Sequence, residues 1–213
     1  MLRHVNAERA AFEAYLLVVS SCIQLEKEVA VRDLSVVPPN LPVPSDDGAA
    51  AHLRGMRVPS VPLTATDGTK VELSAQVGTV VVFAYPRTGR PGESPLVEDW
   101  DMIPGARGCT PHTCAFRDSH AEFAALGARV FGLSTQDSSD QREMVQRLHV
   151  PFAVLSDAEL ALANALRLPA MVVAGQTLLK RLAWIAHDGI ITHVFYPVFP
   201  PDRNAANVLA ALR

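Results

Sequence analysis

The run TVVVFAYP at 79–86 constrains the fold more than any other stretch of the chain. It is continuously apolar, rich in β-favouring residues and ended by proline. Strict alternation would mark a strand with one wet face, whereas an unbroken run marks a strand buried on both faces. Such a strand needs a packing layer on each side, and the remaining pattern supplies them. VPLTATDGTKVELSAQ (61–76) reads as a hairpin about Asp67-Gly68. A helix is expected from Cys109 to about Leu126, stopped by Gly127. ARVFGLS (128–134) and PFAVLSD (151–157) read as strands, and 138–149 and 158–168 as helices. KRLAWIAHDGIITHVFY (180–196) is a second hairpin about Asp188-Gly189, and a proline-started helix spans 200–212. This order implies an α/β fold, a mixed central sheet flanked by helices. The long connection 87–108 has little period of its own, the mark of a functional loop or an insertion.

The first 49 residues read differently. Residues 7–29 read as an amphipathic helix with Phe12, Leu16, Val19 and Ile23 on one face, and a Pro-rich arm follows. The compact domain is expected over 50–213. With 213 residues, 49% of them apolar, one domain has ample core without disulfide staples. The net charge of −3 comes with no basic stripe, which argues against nucleic acid and against a polybasic membrane anchor. No apolar run approaches the ~18–20 residues of a spanning helix. VSSC (19–22) resembles a lipoprotein cleavage box in which Cys22 would carry a lipid. Its apolar stretch is short, however, and Glu8 and Glu13 stand where a signal peptide is basic. A packed Cys22 and a cytoplasmic protein are the expectation, with lipid anchoring through Cys22 the alternative.

Three cysteines make no disulfide framework, so separate roles are expected. Cys109 opens a helix after a glycine-containing loop, where unpaired backbone N–H groups and the helix dipole favour thiolate over thiol. Arg107 adds a positive charge nearby. Cys109, Phe116 and Phe123 recur every seven residues, so they share a face turned to the core. Cys114, five residues on, lies about 140° around the helix with its Cα about 8.6 Å away. A disulfide wants less than ~7 Å. Two readings fit. Cys109 is oxidised to a sulfenic acid and meets Cys114 only after the first turns unwind, eased by Pro111; or both are structural cysteines on an ordinary helix.

VVVFAYPRTG, PGARGCTPHTCAFRD, VFGLSTQD, PFAVLSD and KRLAWIAHDGIITHVFYPVFPPD together resemble a peroxiredoxin, of the bacterioferritin comigratory protein or peroxiredoxin Q subfamily. The resemblance runs from about residue 50 to the C-terminus. It implies a thioredoxin-like fold and thiol-dependent reduction of hydrogen peroxide or organic hydroperoxides without a bound cofactor. Cys109 matches the peroxidatic cysteine, Cys114 the resolving cysteine, and Arg181 the arginine that approaches thiolate and peroxide. Thioredoxin or glutaredoxin is the implied reductant, and a monomer or homodimer the implied assembly. The family motif Pro-x-x-x-Thr-x-x-Cys is altered. Ala106 replaces the threonine, and sixteen extra residues separate the matching Pro86 from Cys109. Thr88 is the candidate for the missing hydroxyl, and Pro86 for shielding the pocket.

Other chemistries fit less well. Cys109, His112, Cys114 and His120 include zinc-ligand types, but on a helix Cys114 points away from the first two. A thioredoxin-fold redox-sensing or partner-binding module with little peroxidase activity is the alternative, given Ala106 and the insertion. A three-residue cysteine spacing, a phosphate loop and a Ser-His-Asp pattern are absent.

Overall fold

The computed structural model describes residues 33–213. The helix expected over 7–29, and Cys22 within it, lie outside the described residues.

β3 (Thr79–Ala84) takes the internal position that its composition demands. It pairs in parallel with β4 (Ala128–Ser134) and antiparallel with β8 (Leu182–His187). Beyond β4 come parallel β5 (Val154–Ser156) and the hairpin of β1 (Pro62–Ala65) and β2 (Lys70–Glu72). β9 (Ile190–Phe195) closes the other edge. The sheet order is β2-β1-β5-β4-β3-β8-β9. Alternate residues of β3 feed two cores, as period-2 geometry requires. Val81, Phe83 and Tyr85 pack with Phe116, Phe123, Met144 and Val208. Val80, Val82 and Ala84 pack with Leu133, Leu155, Leu162 and Trp184. The first face is covered by α1 (Cys109–Asp118), α2 (His120–Ala125), α3 (Ser138–Leu148) and α5 (Asn204–Leu212). The second is covered by α4 (Ala161–Leu166) and by Ala50, Leu53 and Val58.

Register sets the site. Ala84 pairs with Leu182 on one side and Leu133 on the other, so Tyr85, Arg181 and Ser134 lie level at one end of the sheet. That end is the carboxyl end of the parallel strands, where open α/β sheets bind ligands.

Three local readings are corrected. The helix expected over 109–126 is two helices, broken at Ser119, although Phe116 and Phe123 still stack 5.6 Å apart on one face. The helix expected over 158–168 spans only Ala161–Leu166. Leu160 is left-handed (φ 59°), and the Asp157 carboxylate accepts from the backbone N–H groups of Leu162 and Ala163 at 3.0 and 2.7 Å. A hairpin of β6 (Ala170–Val173) and β7 (Gln176–Leu179) was not anticipated. Its Val173 and Leu178 form a small core with Trp100 and Ala106 of the 87–108 connection, which is therefore an ordered cover.

The arm at 33–49 lies against this cover and the sheet end. Arg107 Nη2 donates to the Asp33 carbonyl at 2.5 Å, and Lys180 Nζ and the Tyr196 hydroxyl reach Asp47 at 2.6 and 2.8 Å.

Gly108, just before α1, combines a φ of +99° with close approach by the 3-10 turn Pro201–Arg203. A Cβ there would stand 2.5 Å from Pro201 Cγ. Gly68 has a similar φ of +88° but open space around it. Gly108→Ala is expected to cost roughly 2–4 kcal/mol in denaturant unfolding, against about 1 kcal/mol for Gly68→Ala, since only the first adds a clash to backbone strain. Equal losses would contradict this packing.

Candidate active site

Cys109 is the first residue of α1 and is buried, 4% exposed. β8 begins one residue after Arg181, so the strand register delivers that guanidinium beneath the helix start. Arg181 Nη2 donates to Cys109 Sγ at 3.2 Å. The same nitrogen faces the carbonyls of Gly105, Ala106 and Arg107 at 3.3, 3.3 and 3.1 Å. Arg181 is 3% exposed, and among the described residues no carboxylate forms an ion pair with it. A buried cation with no acidic partner is costly unless another anion compensates it. Among the described residues, the side chains within hydrogen-bond reach of it are those of Cys109 and His112.

The second arm of the guanidinium is also fixed. Arg181 Nη1 lies 3.0 Å from His112 Nδ1, and His112 Nε2 lies 2.9 Å from Asn204 Oδ1. Arginine only donates, so Nδ1 accepts and the ring proton sits on Nε2, where it is donated to Asn204. Burial first, and the Arg181 charge second, hold His112 far below its ordinary titration range, so the ring is neutral. Both nitrogens are engaged, which leaves no lone pair for a metal. His120 packs instead beside Phe152, 5.7 Å between ring centroids. Among the described residues no group of three or more His, Cys, Asp and Glu is placed to hold a metal ion.

Cys114 lies on the same unbroken helix, half-buried, and both thiols are free. Burial pushes the Cys114 thiol up, with Arg117 opposing in second place. Arg107, expected to add charge at Cys109, turns toward the Asp33 carbonyl and toward Asp101 at 4.0 Å. Arg181 is the cation at the sulfur.

A cavity of about 70 Å³ opens onto Cys109. The insertion lines it with Thr88, Leu96, Trp100 and Ala106, the arm adds Leu34, and α3 adds Asp140. Thr88 is buried and clamped. Its N–H and hydroxyl donate to Gln136 Oε1 at 2.8 and 3.2 Å, and Gln136 Nε2 donates to the Thr88 carbonyl at 3.2 Å. The insertion thus brings a hydroxyl into the cavity that Ala106 cannot supply. Pro86 is buried at the end of β3 and turns the chain into that wall. Of the residues expected from the sequence, the structure brings Cys109 and Arg181 together and sets Thr88 on the cavity, while Cys114 does not line it; the contacts of His112, Gln136 and Asn204, with partners 48 to 92 positions away, carry no local sequence signal.

A neutral buried His112 makes folding sensitive to acid. Below pH ~6.5 the unfolded ring binds a proton that the folded ring refuses. Its stabilisation is complete above that pH and falls as pH drops, by at most about 1.4 kcal/mol per pH unit. Between pH 7 and 5, chemical unfolding of the native chain should lose stability faster than that of His112→Gln. Parallel curves would contradict the assignment.

Comparison with known proteins gives the family. The family model for redoxins matches residues 53–212. Chloroplastic peroxiredoxin Q of Oryza sativa subsp. japonica is 29% identical over 162 residues, covering 75% of this chain and 66% of that protein. Peroxiredoxin Bcp of Bacillus subtilis is 33% identical over 112 residues, 52% of this chain and 61% of its own. The chain therefore spans a little under two thirds of the length of these curated relatives. Among solved structures, peroxidoxin BcpB of Mycobacterium tuberculosis superposes with a TM-score of 0.61 at 27% identity, over 75% of this chain and 96% of its own. Peroxiredoxin Q of Xanthomonas campestris shares the fold at a TM-score of 0.57 and 20% identity. With that extent of match, the chain belongs to the redoxin family, in its peroxiredoxin Q and Bcp branch.

Proposed function

We propose that the chain is a thiol-dependent peroxidase that reduces hydrogen peroxide or organic hydroperoxides through a Cys109 sulfenic acid and a Cys109–Cys114 disulfide. The observation that carries this reading is the buried Arg181 guanidinium, 3.2 Å from the sulfur at a helix start and, among the described residues, in no ion pair with a carboxylate. Such a cation stabilises the attacking sulfur and the departing oxygen alike.

In the first step the Cys109 thiolate attacks the terminal peroxide oxygen. The O–O bond breaks, an S–O bond forms, and the leaving alkoxide or hydroxide takes a proton to become alcohol or water. Arg181 donates toward the oxygens as charge moves onto the leaving group. The Thr88 hydroxyl gives its own proton to Gln136, so its lone pairs are open to accept the peroxide proton and orient the terminal oxygen. Pro86 keeps this wall of the pocket closed to water. Cys109 ends as a sulfenic acid, two electrons oxidised.

In the second step the Cys114 sulfur attacks the sulfenic sulfur, water leaves, and a disulfide forms. On an intact helix the two Cα atoms stand about 8.6 Å apart, beyond disulfide reach, so the first turns of α1 unwind. Unwinding also relieves the burial that pushes the Cys114 thiol up. A dithiol protein, thioredoxin or glutaredoxin, then returns two electrons and two protons. The reducing cytoplasm is the compartment that supplies such a donor. Among the described residues no helix is long and apolar enough to cross a membrane.

Cys109→Ser should abolish peroxide consumption. Given a single equivalent of peroxide, Cys114→Ser should consume it and hold the product as a sulfenic acid. Arg181→Lys should lower the second-order rate roughly 100-fold with hydrogen peroxide in stopped flow. Retention of the native rate by Cys109→Ser would end the proposal.

A further inference from the structure

The unwinding step raises the matter of what fastens the helix turns between the two cysteines. His112 sits midway, fully buried, with its ring edge-on to Phe83 and Phe116 at 5.1 and 5.4 Å. Cys109 itself apart, it is the one side chain from 109 to 114 that hydrogen-bonds to side chains outside the helix, among the described residues. One partner is Arg181, on the strand below. The other is Asn204, buried at 2% exposure where α5 begins, directly after the turn whose Pro201 crowds Gly108. The C-terminal segment thus grips the helix start at two points, Pro201 on Gly108 and Asn204 on His112.

When the turns unwind, the 3.0 Å backbone bond from His112 N–H to the Gly108 carbonyl breaks, and the ring leaves its pocket. Asn204 then loses its donor and Arg181 Nη1 its acceptor. The closed helix therefore carries a side-chain lock that must open before Cys114 meets Cys109. A sulfenic acid held in the closed helix stays exposed to a second peroxide. That peroxide adds one oxygen to the sulfur, giving sulfinic acid and releasing water or alcohol.

We propose that Asn204 is a positioning residue of the resolving step. By accepting the His112 Nε2–H it holds the segment that must unwind, and so sets how the Cys109 sulfenic acid divides between disulfide formation and over-oxidation. This rests on the peroxidase reading above.

Asn204→Ala removes the acceptor and leaves a buried N–H unpaired in the closed state only, which favours opening by roughly tenfold. Asn204→Asp keeps an acceptor in place. The two rates are read by rapid mixing with hydrogen peroxide. The sulfenic step is isolated in a Cys114→Ser background, and sulfinic acid is counted by mass spectrometry over a peroxide series. Asn204→Ala should form the disulfide roughly three- to tenfold faster than the native chain and need a correspondingly higher peroxide concentration for half conversion to sulfinic acid. Its sulfenic step should change less than its resolving step. Asn204→Asp should resolve no faster than the native chain and over-oxidise at the same or lower peroxide.

A folded Asn204→Ala whose partition matches the native chain overturns the proposal, as does an Asn204→Asp that behaves like Asn204→Ala. Should Asn204→Ala not fold, Asn204→Asp decides alone: faster resolution than native overturns the proposal, and equal or slower resolution with earlier over-oxidation supports it. A native chain that forms no Cys109–Cys114 disulfide defeats the peroxidase reading itself. Normal disulfide formation with an unmoved partition defeats only the role of Asn204.

Discussion

The guanidinium of Arg181 is buried among three backbone carbonyls, a neutral imidazole and one sulfur. Its carbonyl and imidazole neighbours satisfy hydrogen bonds but carry no negative charge, and the Cys109 sulfur is the one other partner within hydrogen-bond reach among the described residues. Much of the fold serves to sustain that pairing. The antiparallel register of β3 and β8 sets the height of Arg181. The packing of Phe83 against Phe116, 4.3 Å between ring centroids, fixes α1 over the sheet. Gly108 lets the chain turn into the helix under Pro201. A shift of one residue in the β8 register would send Arg181 to the opposite face of the sheet.

Around that pair the chain builds a cavity from unusual materials. The connection between β3 and α1 becomes a cover with its own small core, sealed by the β6–β7 hairpin and by Trp100. The cover carries Thr88 into the pocket, and Gln136, from the loop after β4, holds it there by three hydrogen bonds. Position 106 carries no hydroxyl, and Thr88 is a buried threonine on the same cavity wall. The arm reinforces the arrangement from outside, with Leu34 on the cavity and Asp33 on Arg107.

How much of this the sequence disclosed follows the range of each interaction. The central strand, the helix start at Cys109 and the face shared with Phe116 and Phe123 are local patterns, and they were legible. Arg181 was legible because it opens a strand beside a clear Asp-Gly turn and matches a family position. Thr88 was visible as a residue type, but only its clamp by Gln136 shows how the insertion folds inward. The β6–β7 hairpin was missed because its strands are four residues each and the first begins at Ala170, shortly after α4 ends at Leu166. The link from His112 to Asn204 joins positions 92 apart through one hydrogen bond, and no periodicity reports such a pairing.

The proposed cycle requires Cys109 to be the sulfur that a peroxide finds first, with Cys114 reaching it only after local opening. The most direct measurement is peptide mass spectrometry of the fully reduced native chain treated with a single equivalent of hydrogen peroxide. One linked peptide pair joining Cys109 and Cys114, two hydrogens lighter than the reduced pair, is the expected product. Both cysteines still reduced and unlinked, with the peroxide unconsumed, would contradict it.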